Sequence, residues 1–150
     1  MNDNDSSQLV HCVSVLVPVS ADVAYRYLTD GRELGRWALG AFGTEASGQP
    51  EVFRGVSLFD DQPCFVKPVG DLAARRIVYH VGADAMHLVP RIQAQVVDGE
   101  ALGHPATCCQ VTLLAWRHQS MSEARWVQLQ RCHELEVLLI RARLERWQTA

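Results

Sequence analysis

Apolar residues recur at helical spacing through the last stretch of the chain. Trp126, Leu129, Val137, Ile140, Leu144 and Trp147 are three or four apart, except where His133 stands between Leu129 and Val137. That stripe predicts one long helix over Ser122–Trp147. About 26 residues in helical form reach roughly 39 Å, enough to cross a small domain. Ser120 and Glu123 have capping-box spacing at its start.

Period-two alternation governs most of what precedes the helix. Leu9–Val17 reads as a strand with Val13, Val15 and Val17 on one face, and Pro18 ends it. Ser20 is placed to cap a short helix, Ala21–Leu28, whose inner face carries Val23, Tyr27 and Leu28. Asp30 and Glu33 have capping-box spacing for a second short helix running through Leu34 to Trp37. Strands are then predicted over Ala41–Ala46, Val52–Phe59, Cys64–Val69, Arg75–Val81, Leu88–Val97 and Cys108–Trp116.

Parity sorts their faces. Val52, Val56 and Leu58 share one face, Ile77, Tyr79 and Val81 the next. Ile92, Ala94 and Val96 follow, then Cys109, Val111, Leu113 and Ala115. Pro68 places the end of its strand at an edge or an irregularity, and Pro90 sits near a strand start, where a missing N–H is tolerated. Consecutive strands joined by short turns make an antiparallel sheet, so the fold class is α+β. Met1–Gln8 is a polar tail, expected to be disordered.

Composition changes this picture little. The 150 residues suit a single domain, and 48% apolar with 21% charged residues is ordinary for a globular chain. A net charge of −3 gives no clustered basic surface for nucleic acid. Arg141, Arg143 and Arg146 are interleaved with Glu136 and Glu145, which reads as a solvated helix face with an Arg141–Glu145 pair. No apolar run is long enough for a membrane span, and the N-terminus has no signal-peptide pattern. Five cysteines, an odd number without C-x-x-C spacing, suggest reduced thiols and a cytoplasmic setting. Adjacent Cys108 and Cys109 point to opposite faces of a strand, as two ordinary strand residues.

Several local runs resemble a known family. They are Val13-x-Val-x-Val17 with Pro18, the helix Ala21 to Asp30, Trp37 after the second helix, and Leu88-Val-Pro90 before a strand that ends at Asp98-Gly99. Together they resemble the START-like, or SRPBCC, helix-grip superfamily, which includes Bet v 1-like and polyketide cyclase/dehydrase-type proteins. The resemblance runs from Leu9 to Trp147 and implies one such domain over residues 9–150. It implies a seven-stranded antiparallel sheet curved around the long C-terminal helix, with two short helices after the first strand. It also implies an elongated, mostly apolar cavity between sheet and helix. Members bind hydrophobic ligands such as lipids, polyketides or plant hormones; some are cyclases or dehydratases, and some are partner-binding modules. The superfamily has no universal catalytic residue, so whether this chain is an enzyme stays open.

The candidate ligand-binding residues are His133, Tyr79, Trp37, Leu129, Val137 and Ile140. His133 is the one histidine of six on an inward stripe, either a polar group aimed into a cavity or a core imidazole bonded to a neighbour. Tyr79 faces inward, where its hydroxyl orients a ligand or bonds a backbone carbonyl. Trp37 lines a cavity mouth or simply closes the core. Trp126 and Trp147 read as anchors at the two ends of the helix.

Alternation turns Arg91 to solvent; only a bulge would bring it inward to meet an acidic group. Ser14 and Ser57 have no base nearby in sequence. No nucleophile, phosphate-loop or metal spacing is present, so no cofactor or metal is expected and no catalytic residue is assigned. The expected function is binding of a hydrophobic small molecule, lipid-, polyketide- or aromatic-like. The alternative is a protein-interaction module of the same fold with a small or filled cavity. It rests on a second apolar cluster, Leu135, Leu138, Leu139 and Ala142, which suits a homodimer or protein partner.

Overall fold

A computed structural model describes residues 9–147, so the expected tail over Met1–Gln8 lies outside the described residues. The strands are β1 (Val10–Val17), β2 (Phe42–Ala46), β3 (Phe53–Val56), β4 (Pro63–Asp71), β5 (Arg76–Gly82), β6 (Val89–Asp98) and β7 (Cys109–Trp116). Helices α1 (Ala21–Thr29) and α2 (Gly31–Leu34) follow β1, and α3 (Glu123–Trp147) is the last element. The seven strands form one sheet in the order β1-β7-β6-β5-β4-β3-β2, with every neighbouring pair antiparallel. This is the α+β helix-grip arrangement, with α3 lying against β1 and β7. Among the described residues no helix is long and apolar enough to cross a membrane.

Alternation sets the core where strands are long and paired on both sides. In β7, Cys109, Val111, Leu113 and Ala115 are all buried. They face Val17, Val15, Val13 and His11 across β1. On the opposite face of that pair, Ser14 Oγ and Thr112 Oγ1 bond at 2.7 Å. Ile77 and Tyr79 of β5 pair with Ala94 and Ile92 of β6, extending the same buried layer. Removing these apolar surfaces from water is the main favourable contribution to the fold.

Helix ends follow local capping chemistry, with two corrections. Ser20 Oγ accepts from Val23 N at 3.4 Å, as its spacing suggests. Asp30 Oδ1 accepts from Arg32 N and Glu33 N, but the reciprocal half of the box does not form. The Asp30 N–H instead donates to the Tyr27 carbonyl, closing α1. α2 stops at Leu34, and a turn carries the buried Trp37 inward. At α3 the cap is Ser122, whose Oγ accepts from Arg125 N at 3.1 Å. Ser120 is occupied with His118 Nδ1 at 2.6 Å, so the Ser120–Glu123 box is absent.

The β3 region also departs from parity. Val56 and Leu58, which alternation puts on one face with the buried Val52, are 37% and 54% exposed, while Gly55 and Ser57 are buried. The chain here passes so close to Ala41 that a Cβ on Gly55 would lie 2.7 Å from the Ala41 carbonyl carbon. Only glycine permits that approach, so it fixes the inward face. β4 runs longer than predicted, through Pro68 to Asp71, yet β3 pairs only with Pro63–Val66. Pro68 therefore sits where β4 has become an open edge, in keeping with its missing N–H.

Candidate functional site

A cavity of about 510 Å³ lies between α3, the sheet and the turn after α2. Trp37, Tyr79, Leu129 and His133 line it, four of the six residues expected to meet a ligand. Val137 and Ile140 do not. They pack into the closed core together with Leu144. The correction is one of depth rather than phase. Leu129, Cys132, His133 and Glu136 of α3 border the cavity, whereas Val137, Ile140 and Leu144 further along pack into the core. The exposed side chains Asp60, His118 and Ser120 place the mouth near the end of β7.

Tyr79 contributes its ring rather than its hydroxyl. The Oη donates to the Leu28 carbonyl at 2.7 Å and satisfies a helix-terminal acceptor. The Trp37 ring stands edge-on to it, 5.7 Å between centroids. The Trp37 Nε1 has no partner among the described residues.

One carboxylate departs from its sequence pattern. Interleaved charges place Glu136 on the solvated face, yet it is 4% exposed and lines the cavity wall. Its Oε2 accepts from the Leu39 backbone N–H at 3.0 Å, tying α3 to the turn after α2. Burial pushes its acid up to about 8, an effect only partly offset by the Leu39 hydrogen bond. The signal lies in the spacing: Glu136 is three residues after His133 and four before Ile140, on the same stripe.

His133 is fully buried and neither ring nitrogen has a hydrogen-bond partner among the described residues. Its Nε2 lies 3.7 Å from Glu136 Oε1, beyond hydrogen-bond reach. Its ring lies 6.2 Å from that of His11. Burial, with a smaller contribution from His11, pulls the imidazole down to about 4. At neutral pH the pair is thus a neutral carboxylic acid beside a neutral imidazole, each able to donate or accept one proton in a hydrogen bond. With the free Trp37 N–H, this end of the cavity offers uncharged polar groups in an otherwise apolar wall.

Arg91 is brought inward by a bulge that alternation does not foresee. Tyr79 pairs with Ile92 but His80 pairs with Pro90, so Arg91 is the extra residue of β6 and faces the cavity. The serines stay structural in their contacts: Ser57 Oγ accepts from Phe59 N, and Ser14 bonds Thr112. Cys109 is buried, with its thiol pushed up to about 11 by burial first and by Asp98 and Cys108 second. Among the described residues no group of three or more His, Cys, Asp or Glu side chains is placed to hold a metal ion.

No protein-family model and no curated protein sequence matches the chain. Solved structures do. The Zhui aromatase/cyclase from Streptomyces sp. R1128 superposes with a TM-score of 0.66 at 14% identity, covering 91% of this chain and 93% of that one. The di-domain aromatase/cyclase BexL of the BE-7585A biosynthetic pathway gives 0.63 at 18% identity, over 91% of this chain and 46% of that one. An uncharacterised protein from Bacillus thuringiensis gives 0.67 at 11% identity, over 90% and 98%. These likenesses establish the helix-grip fold shared with these aromatase/cyclases.

Proposed function

We propose that the protein binds a hydrophobic small molecule, lipid-, polyketide- or aromatic-like, in the cavity between sheet and α3. The observation that carries this reading is the cavity itself. Its volume of about 510 Å³ falls within the range of small-molecule sites, roughly 300–1,000 Å³. Its wall has the composition such sites need: Trp37, Tyr79, Val81, Ile92 and Leu129 with a few convergent polar groups. Two of the structural neighbours being aromatase/cyclases of the same fold agrees with a ring-bearing ligand. Five free thiols suit a reducing, cytoplasmic setting.

The test uses N-phenylnaphthylamine, an uncharged dye that fluoresces in apolar surroundings. Saturable one-to-one uptake by the native protein is expected. Leu129→Trp fills the cavity and should weaken uptake about tenfold or more, because the added indole occupies the space that the dye's rings require. Leu138→Asp, on the opposite side of α3, should leave it unchanged. Absence of native uptake, or equal weakening in both variants, would contradict the reading.

A second reading, an interaction module, rests on Leu135 and Leu138, which are 48% and 58% exposed, whereas Leu139 packs against the core. It requires a dimer or complex that Leu138→Asp dissolves. Sedimentation of the wild type and this variant distinguishes the two.

A further inference from the structure

We propose that the cavity selects an amphiphilic organic anion, a ring-sized apolar body carrying one carboxylate, and that Arg91 receives the carboxylate. This rests on the ligand-binding reading above and specifies the ligand's charge and orientation.

The placement of Arg91 is built by the backbone. Had β6 kept regular alternation, Arg91 would face away from Ile92. The extra residue between the Tyr79–Ile92 and His80–Pro90 pairs puts both on the cavity wall. Arg91 is half-buried there and shares the lining with Val81 and Trp116. Its guanidinium has no carboxylate partner among the described residues. Among the other half-buried arginines, Arg75 and Arg117 each have one, whereas Arg125 and Arg143 do not. A guanidinium partly withdrawn from water without a counter-ion is an incomplete arrangement, and a carboxylate completes it with a forked pair of charge-assisted bonds.

The surrounding charges favour an anion. On the cavity lining, the side chains of Arg91 and Arg125 outnumber the one exposed carboxylate, Asp60, at the rim. Arg125 is already engaged, its guanidinium stacked 4.4 Å over the Phe59 ring and bonded to Gln128. Asp60 accepts a hydrogen bond from Gln62 N in its own turn and makes no ion pair with Arg91. The remaining carboxyl group on the wall, Glu136, is held protonated by burial and does not repel an anion. Position sets the orientation. Ile92 pairs with Ala115, so Arg91 lies level with the end of β7, beside the mouth, while Trp37, Tyr79 and His133 are buried. The charged group therefore stays near water and the apolar body points inward.

Two dyes with one skeleton test this: N-phenylnaphthylamine and its sulfonated counterpart, anilinonaphthalene sulfonate. Arg91→Gln should weaken binding of the sulfonate about tenfold or more, the effect of removing one charge-assisted bond. It should leave the uncharged dye within about twofold, and Arg91→Lys should recover part of the affinity. An Arg91→Gln protein that weakens both dyes equally, or leaves the sulfonate unchanged, overturns the proposal. So does an Arg125→Gln protein that carries the weakening instead. Uptake of the uncharged dye with no charge preference leaves the ligand-binding reading standing and refutes this one; uptake of neither refutes both.

Discussion

Truncating Ile140 to alanine is expected to destabilise the protein by about 2–5 kcal/mol, the range for removing a buried aliphatic side chain and leaving a cavity. Ile140 is fully buried in the core cluster beneath the sheet. Leu129 is half-buried on the same stripe and already borders open space. Its truncation enlarges an existing cavity rather than creating one, so Leu129→Ala should cost about 1–2 kcal/mol. Arg141 pairs with Glu145 on the exposed face, at 3.0 Å, and Arg141→Ala should cost about 0.5 kcal/mol or less. Urea titrations of the three variants check the ordering. Equal costs at Ile140 and Leu129 would mean that α3 lies on the sheet along its whole length and that the cavity is closed.

Stability is expected to fall between pH 6.5 and pH 8, by about 1 kcal/mol in total. The sign follows from the buried pair. Glu136 is raised from an ordinary 4.5 to about 8, so between those values the native state holds a proton that the unfolded chain has released. Its contribution is complete below pH 4.5 and declines as pH rises to 8, by about 1.4 kcal/mol per unit. His133 is lowered from 6.5 to about 4, so over that span the unfolded state holds the extra proton. Its contribution is complete above pH 6.5 and declines as pH falls to 4. The two slopes oppose each other between pH 4.5 and pH 6.5 and nearly cancel. Above pH 6.5 only the Glu136 decline remains. Glu136→Gln keeps an acceptor for the Leu39 N–H but cannot titrate. Its stability should be flat from pH 6.5 to 8 and should rise from pH 4.5 to 6.5. Denaturant midpoints across this range read both signatures. A wild-type protein no less stable at pH 8 than at 6.5 would contradict the buried, protonated Glu136.

What is legible in the sequence is what depends on near neighbours. The α3 stripe as far as Leu144, the β7 alternation and the Ser20 cap are set by spacing within a few residues and stand as the pattern suggests; Trp147, at the helix end, is 44% exposed although its ring meets Tyr27 edge-on. The departures share a different cause. Gly55 faces inward because of Ala41, a contact from another segment. Arg91 turns inward because β5 and β6 slip register by one residue, which depends on pairing and not on either strand alone. Glu136 has the look of a solvated residue because charged residues usually are. Its burial is tolerated through the Leu39 N–H and through protonation, and neither is visible in a local pattern. Val137 and Ile140 have the expected phase, but the gap between α3 and the sheet decides which stripe residues meet a ligand and which meet the core.

The central claim is that a ligand occupies the space between α3 and the sheet. The most direct measurement is the proton–nitrogen correlation spectrum of labelled protein titrated with N-phenylnaphthylamine, followed at backbone amides and at the tryptophan indole N–H groups. The expected result is that the Trp37 indole, which is buried and without a partner among the described residues, shifts together with the amides of Tyr79, Leu129 and His133. Shifts confined to Leu135 and Leu138 on the outer face of α3, with the Trp37 indole unmoved, would contradict it.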